Sequence, residues 1–190
     1  MPNKPPRERL LASAGMLFHK RSYAAVTVEE VIEASEVSRA EFYRNFSNKS
    51  AIGLAWLQRL QRGMLYMQEE LQNRPVEASQ KLRRYFAAMQ NWMETNNFRS
   101  CQFANTAACI DPEEEPQLAE FIDSYKRAQR NFMIELVGAI VGPEDSQRLG
   151  SAVYLLFSGA MTESQNLKAS WPLQDALKVA EQLCDMDSRP

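Results

Sequence analysis

The stretch SEVSRAEFYRNFSNKS, residues 35–50, places three aromatic rings, two arginines and one lysine within sixteen residues. Its segment Ser38-Arg-Ala-Glu41 has the spacing of a capping box, in which a serine hydroxyl and a glutamate carboxylate each bind a free backbone N–H at a helix start. Phe42 and Phe46 lie four residues apart, so they share one face of the helix that follows. The stretch therefore predicts a short helix that buries two phenylalanines and exposes a basic, polar face.

The preceding residues predict a second short helix. Thr27-Val-Glu-Glu30 is another capping box, and apolar residues at positions 28, 31 and 32 form a buried face before the helix ends near Ser35. Two short helices joined by a turn of about three residues form the helix-turn-helix pattern, whose second helix can enter the DNA major groove. Tyr43 is one residue off the buried face, so its hydroxyl points outward, where it can donate to a phosphate oxygen.

The rest of the chain is also predicted to be helical. Apolar periodicity predicts helices over residues 7–21, 49–73, 76–96, 144–167 and 172–186. Asp111-Pro112-Glu-Glu114 predicts one more helix start, because a capping residue, a proline in the first turn and acidic side chains all favour a helix N-terminus. Only 7 glycines and no hairpin motif are present, so strands are not expected. We expect an all-α fold of about nine helices, with disorder confined to residues 1–6 and 187–190.

Composition narrows the function classes. The net charge is −2, but residues 1–50 carry eight basic and six acidic side chains, so the predicted DNA-binding region is net positive. No apolar run approaches the roughly 18 residues of a membrane span, and the N-terminus is polar, so a cytoplasmic chain with reduced thiols and no membrane partner is expected. His19 is the only histidine, and phosphate-loop, serine-elbow and dinucleotide motifs are absent from the sequence. We therefore expect no enzyme activity, cofactor or metal site.

The segment TVEEVIEASEVSRAEFYRNFSNKSAI, residues 27–52, resembles the DNA-binding signature of the TetR/AcrR family of transcriptional repressors. RERLLASAGMLFHKRSYAAVTV, residues 7–28, resembles the first helix of that family and the turn after it. The resemblance implies a helix-turn-helix DNA-binding domain over residues 1–48 and a helical ligand-binding and dimerisation domain over residues 49–190. It also implies a homodimer that binds double-stranded DNA at a palindromic operator and releases it when a small, hydrophobic effector or a thiol modification acts on the C-terminal domain.

The resemblance places the DNA contacts by position at Thr27, Ser38, Arg39, Ala40, Glu41, Tyr43, Arg44, Asn45 and Lys49. Three residues depart from the family pattern. Glu36 stands where a turn glycine is usual, so it is expected to hold an unusual backbone dihedral. Ser22 stands where a helix-ending glycine is common, and Glu41 stands where a small residue is common. Glu41 either caps its helix with Ser38 or accepts from a cytosine amine. Glu36 and Glu41 also support an alternative: a helical small-molecule-binding module or enzyme whose head no longer binds DNA.

The body contains two apolar sets and one cysteine of interest. An effector cavity is implied among bulky, soft side chains, although each of them can equally be core: Leu60, Met64, Phe86, Met89, Trp92, Met93, Phe103, Phe121 and Tyr125. A dimer face is implied on an apolar stripe, for which intramolecular core is again the alternative: Ala152, Val153, Leu156, Phe157, Ala160 and Met161. Cys101 lies in a Cys-x-x-x-Asn segment found in a subgroup of the family, so it is either a redox sensor or a packed core residue.

Overall fold

The computed structural model describes residues 4–186, and these contain nine α-helices and no strand. The helices are α1 (Pro6–Lys20), α2 (Val28–Ser35), α3 (Arg39–Asn45), α4 (Lys49–Gln72), α5 (Ala78–Thr95), α6 (Gln102–Ala107), α7 (Pro116–Val141), α8 (Pro143–Leu167) and α9 (Trp171–Leu183). The predicted all-α fold is confirmed. Residues 1–3 and 187–190, for which disorder is predicted, lie outside the described residues, and Pro6 already belongs to α1.

The chain divides into two compact units. The N-terminal unit consists of the residues up to Met64 together with Gln102–Tyr125, and the C-terminal unit consists of Leu65–Cys101 together with the residues from Lys126 onward. This structural division differs from the functional boundary predicted at residue 48, which stays a prediction.

Helices α1, α2 and α3, which we call the head, pack around a small apolar core. Leu10, Ala14 and Phe18 recur at four-residue spacing on α1 and are almost completely buried. Phe42 of α3 is fully buried, and Phe46 directly after α3 is 5% exposed. Burying a phenylalanine side chain contributes roughly 1.5–3 kcal/mol. The buried face of α3 thus fixes the helix, and its opposite face stays exposed.

Capping at the head helices follows the sequence prediction. The Thr27 hydroxyl accepts from the Glu30 backbone N–H, and the Glu30 carboxylate accepts from the Thr27 N–H, so the capping box of α2 is complete. Ser38 and Glu41 make the same pair of hydrogen bonds at the start of α3. Asn48 caps α4, since its side-chain oxygen accepts from the Ala51 N–H at 2.8 Å. These caps satisfy N–H groups that have no partner inside the helix.

The predicted helix start at Asp111-Pro112 is wrong, because α7 begins at Pro116. Asp111 instead closes a single turn: its side chain accepts from the Glu113 N–H at 2.9 Å and its carbonyl accepts from the Glu115 N–H at 2.9 Å. Pro116 has no N–H, and a proline disfavours the helical conformation of the residue before it. The second proline therefore separates this turn from α7.

The C-terminal unit has an aromatic core between α5, α7 and α8. The Tyr85 ring lies 5.3 Å from Phe132 and 5.2 Å from Phe157, measured between ring centroids, and Phe86 also contacts Phe157 at 5.2 Å. Helices α8 and α9 pack along each other, and α5 contacts both. This unit therefore buries much of the apolar stripe of α8 against its own chain.

Glu36, the residue after α2, adopts the left-handed conformation with φ 53° and ψ 38°. This confirms the unusual dihedral expected where a turn glycine is typical. The left-handed region brings Cβ close to a carbonyl oxygen and costs a non-glycine residue roughly 1–2 kcal/mol. The helix-turn-helix connection therefore carries backbone strain that a glycine would not have.

We expect Glu36→Gly to raise the free energy of unfolding by about 0.5–1 kcal/mol, because relief of the strain is partly offset by the greater freedom of glycine in the unfolded chain. Chemical denaturation monitored by circular dichroism measures the change. Glu33→Gly in α2 is the matched control, and it is expected to destabilise the protein by about 1 kcal/mol because glycine is unfavourable inside a helix. Equal losses in both variants would contradict the strain at Glu36.

Candidate nucleic-acid interface

The surface of α3 opposite Phe42 is available to a partner. Tyr43 is 47% exposed, although its ring packs edge-on against the Phe42 ring with centroids 5.2 Å apart. All nine residues that the sequence assigns to DNA contact are exposed or half-buried: Thr27, Ser38, Arg39, Ala40, Glu41, Tyr43, Arg44, Asn45 and Lys49. The packing of the head thus leaves every predicted DNA-contacting residue on the surface.

Contacts within the head orient Arg39, one of the two arginines of this surface. The Arg39 guanidinium lies 3.4 Å from the Glu29 carboxylate and 5.7 Å from the centroid of the Tyr43 ring. Both contacts are exposed, so they contribute little to stability. They hold the guanidinium beside the tyrosine, where a phosphate can compete with Glu29 for its donors.

The Glu41 carboxylate is engaged by the N-terminus of α3. One oxygen accepts from the Ser38 hydroxyl at 2.9 Å and from the Ser38 backbone N–H at 3.1 Å. These hydrogen bonds lower the pKa of Glu41, with the hydroxyl as the largest cause and the backbone N–H next. The structure therefore contains the capping arrangement expected for Glu41. Contact of its other oxygen with a base stays a prediction.

Asn45 and Lys49 lie near the ends of α3 and α4. The Asn45 side-chain amide donates to the Glu41 carbonyl oxygen at 2.7 Å. The Lys49 ammonium donates to the Ala24 carbonyl oxygen at 3.2 Å and lies 4.5 Å from the centroid of the Tyr23 ring. An ammonium has three N–H donors, so Lys49 keeps two for a phosphate. Burial lowers its pKa, and nearby acidic groups oppose this change.

Two polar contacts join residues of α1 and its C-terminal turn to the segment around α6, and sequence reasoning missed both. The Tyr23 hydroxyl donates to the Glu115 carboxylate. The side chains of Gln102 and His19 form a hydrogen bond of 3.3 Å between Nε2 and Nδ1. The partners are 92 and 83 residues apart, so no local spacing pattern could reveal them. Both contacts lie within the N-terminal unit, to which Gln102–Tyr125 belongs.

Residues assigned to an effector cavity fall in both units. Phe86, Met89, Met93, Phe103 and Tyr125 are at most 7% exposed, and Leu60, Met64, Trp92 and Phe121 are half-buried. The Phe103 and Tyr125 rings stack within the N-terminal unit. An open groove of about 330 Å³ in that unit is lined by Leu54, Gln58, Gln117, Glu120, Phe121 and Ser124. Phe121 alone belongs to both sets, so the cavity residues stay a prediction.

The C-terminal unit also holds a polar triad that the sequence did not reveal, in which Gln68 and Tyr85 are buried and Gln129 is half-buried. The Gln129 side-chain oxygen accepts from the Gln68 amide at 3.0 Å and from the Tyr85 hydroxyl at 3.3 Å. Burial raises the pKa of Tyr85, so this hydroxyl stays protonated at neutral pH. The triad offers a polar group inside an aromatic core.

The six residues assigned to the dimer face differ in how far they are buried within one chain. Val153, Ala160 and Met161 are at most 7% exposed inside a single chain, so these three are core rather than available surface. Ala152, Leu156 and Phe157 are half-buried. The large apolar side chains that α8, α9 and the residues between them expose are Leu155, Leu167, Trp171, Val179 and Leu183. These five exposed side chains are more accessible to a partner than the six residues assigned to the dimer face.

The three cysteines are free thiols in different environments. Cys101 is half-buried, Cys109 is exposed and donates to the Thr106 carbonyl oxygen at 3.3 Å, and Cys184 is buried. Within residues 4–186, His, Cys, Asp and Glu side chains form no group of three or more that could hold a metal ion. None of the described helices is both long and apolar enough to cross a membrane.

Comparison with known proteins agrees with this geometry. Residues 10–55 match the family model described as bacterial regulatory proteins, tetR family. The repressor DhaR of Mycobacterium sp. strain GP1 is 27% identical over 136 residues, which is 70% of this chain and 66% of DhaR, just under two thirds of its length. The repressor NemR of Escherichia coli K12 is 22% identical over 187 residues, covering 90% of this chain and 89% of NemR.

The overall fold also has solved counterparts. A TetR-family transcriptional regulator from Streptomyces coelicolor superposes with a TM-score of 0.86 at 22% identity, covering 97% of this chain and 96% of that one. A helix-turn-helix head with an exposed second helix, joined to further helices, defines the class of helix-turn-helix transcriptional regulators. The match over residues 10–55 covers most of the head and the start of α4, so this part of the chain is similar to the DNA-binding domain of the tetR family, and the solved structure shows the same overall fold. Regulators of this family bind DNA and usually act as dimers with small-molecule effectors.

Proposed function

We propose that this protein is a ligand-responsive transcriptional repressor that binds a palindromic operator as a homodimer and releases it when an effector binds the C-terminal domain. The exposed face of α3, set by the buried Phe42 and the Ser38–Glu41 capping box, is the observation that carries the proposal. Such a face can enter a major groove. Two relatives, DhaR and NemR, are named as transcriptional repressors, which supports repression over activation.

In the proposed complex, each head places α3 in the major groove. Ser38, Arg39, Ala40, Glu41 and Tyr43 face the bases and nearby phosphates, and Thr27, Arg44, Asn45 and Lys49 meet the backbone. Contacts to phosphate set the register of the head, and contacts to base edges give the sequence preference. Two heads related by a twofold axis occupy successive major grooves about 34–36 Å apart, so the operator is a palindrome.

The effector is proposed to be a small molecule with an apolar body. The predicted cavity residues are aromatic, leucine or methionine side chains, which suit such a ligand. The Tyr85–Gln129–Gln68 triad adds a polar group that could recognise one oxygen or nitrogen of the effector. A ligand shifts the DNA-binding equilibrium only by its different affinities for the two conformations. Thiol modification at Cys101 remains the second proposed input.

Fluorescence anisotropy with duplex DNA from immediately upstream of the protein's own gene tests the proposal. The titration is repeated with scrambled DNA at roughly 50 to 300 mM salt, because each phosphate contact makes the affinity salt-dependent. We expect tight binding that falls steeply with salt and prefers the native duplex. If no genomic duplex binds better than scrambled DNA, the head does not recognise an operator.

Lys49→Ala should weaken binding to native and scrambled duplexes by the same factor and should flatten the salt slope by about 0.9 for each head, or about 1.8 for a dimer that loses one phosphate contact per head. Salt-dependent anisotropy measures both effects. Lys20→Ala is the control, because Lys20 is an exposed lysine of the same N-terminal unit outside the proposed contact set. A change in sequence preference, instead of a uniform loss, would contradict the phosphate role of Lys49.

A further inference from the structure

We propose that Tyr23 and Glu115 are positioning residues for the Lys49 ammonium and thereby set the affinity of the head for DNA. The inference rests on the proposed DNA-binding function and adds to it a means by which the segment Gln102–Glu115 acts on the head. All of these residues belong to the N-terminal unit.

The Tyr23 side chain is held on several sides. It is 3% exposed, and its ring centroid lies 5.2 Å from that of Phe18. The ring also lies directly on the backbone of α4 at Gly53, where a Cβ would come within 2.6 Å of Tyr23 Cε2. The hydroxyl donates to the Glu115 carboxylate, so both the ring and its polar end are fixed. Burial and the Glu115 hydrogen bond raise the pKa of Tyr23, which keeps the hydroxyl a donor.

Lys49 depends on this ring for its position. The ammonium lies 4.5 Å from the Tyr23 ring centroid and donates to the carbonyl oxygen of Ala24, the next residue in the chain. A cation over an aromatic face is attracted by the ring quadrupole. Movement of Tyr23 would therefore change both contacts of the ammonium. The Glu115 carboxylate, together with Cys109 and Glu30, also favours the charged form of Lys49.

Glu115 differs from its neighbours in the acidic turn before α7. It is half-buried, whereas Glu113 and Glu114 are exposed. Its backbone N–H donates to the Asp111 carbonyl oxygen at 2.9 Å, so the turn fixes the side chain that accepts from Tyr23. A neutral hydrogen-bonded partner would hold the tyrosine in place, but a truncated one would not.

The segment that carries Glu115 is held at its first and last residues, both times by a residue near the C-terminus of α1. Gln102, which begins α6, contacts His19, and Glu115, which precedes α7, contacts Tyr23. His19 and Tyr23 are only four residues apart. Displacement of the segment by a ligand or a covalent modification would therefore pull on Tyr23, and through it on Lys49.

Variants of the two residues test this inference in duplex-binding titrations. We expect Glu115→Ala and Tyr23→Phe each to weaken binding to the preferred duplex by about five- to tenfold, a typical size for coupling between sites. Glu115→Gln keeps an acceptor for the tyrosine hydroxyl and should bind within about twofold of the wild type. The control Glu114→Ala removes the same charge from the same turn and should leave the affinity unchanged.

Double variants separate positioning from folding. Combining Glu115→Ala with Tyr23→Phe should weaken binding no further than either change alone, because both remove one hydrogen bond. In a Lys49→Ala background, Glu115→Ala should lose its effect on affinity. A purely structural role of Glu115 would instead lower affinity by the same factor in both backgrounds and would lower the melting temperature in parallel.

Two results would overturn the inference. Equal affinity of Glu115→Ala and Glu114→Ala, with normal wild-type binding, would show that the tyrosine contact does not reach the DNA surface. Equal losses in Glu115→Gln and Glu115→Ala would show that charge acts, not the hydrogen bond to Tyr23. Failure of the proposed function itself is distinguishable, because the wild type would then prefer no genomic duplex over scrambled DNA.

Discussion

Gly150→Ala is expected to lower the free energy of unfolding by about 2 kcal/mol, the net of overpacking at a backbone contact and a gain in helix propensity. A Cβ on Gly150 would lie 2.5 Å from Cα of Ile134 and 3.2 Å from Cβ of the same residue. The nearest atom belongs to the backbone of α7, so no side-chain rotation relieves the clash. Helix α8 would have to move away from α7 and lose the packing of Val153 and its neighbours.

Urea denaturation or differential scanning calorimetry at one fixed protein concentration measures this loss, and a fall in Tm of about 4–8 °C corresponds to it for a chain of this size. Gly63→Ala is the control, because Gly63 lies in α4, is exposed, and has no atom within 4 Å of an added Cβ. That variant should gain up to about 1 kcal/mol from helix propensity. If Gly150→Ala gains stability in the same way, the close approach of α7 and α8 is contradicted.

The helix-turn-helix head was predictable because its determinants are local. The capping boxes at Thr27 and Ser38 each span four residues, and the four-residue spacing of Phe42 and Phe46 identifies the buried face of α3 without any knowledge of the rest of the fold. Glu36 was also predictable, since the turn needs a left-handed residue whether or not a glycine is present.

Other features could not be predicted, because they depend on residues distant in sequence or on competing local rules. The contact between Tyr23 and Glu115 spans 92 residues. The helix start predicted at Asp111-Pro112 is only a capped turn, because the second proline, Pro116, begins α7. An apolar stripe on α8 looks the same whether it packs on its own chain or on a partner. The pattern therefore does not distinguish residues buried within one chain, such as Val153 and Met161, from residues of a dimer face, which stays a prediction.

The exposed apolar side chains of α8 and α9 are the basis of the second prediction, which concerns dimerisation and DNA affinity. Leu155, on α8, is 68% exposed, and Trp171 and Leu183, at the two ends of α9, are 54% and 41% exposed. Large apolar side chains exposed on two helices that contact each other are a candidate for a protein–protein interface. We therefore propose that a second copy of the chain covers them and that the two heads of the dimer bind DNA together.

Leu155→Glu is expected to convert the dimer to a monomer, because a carboxylate buried in the proposed apolar interface loses its hydration without gaining a partner. Light scattering should then give a mass of 21.7 kDa instead of twice that value. Affinity for the preferred duplex should fall by about 10²–10⁴, the usual gain from linking two binding sites. Leu65→Glu on α4 is the matched control, because Leu65 is 49% exposed and lies outside α8 and α9.

Dissociation of the dimer must be distinguished from damage to the DNA-binding head. A monomer with an intact head should bind a duplex carrying only half of the palindrome as well as the wild type does, since one head contacts one half-site. The Leu155→Glu variant should therefore lose affinity for the full palindrome but keep it for the half-site, and the salt slope for the full palindrome should fall to about half, because about half of the phosphate contacts are made. A Leu155→Glu protein that stays dimeric would place the interface elsewhere, and equal losses on both duplexes would show that the substitution damages the fold instead of the interface.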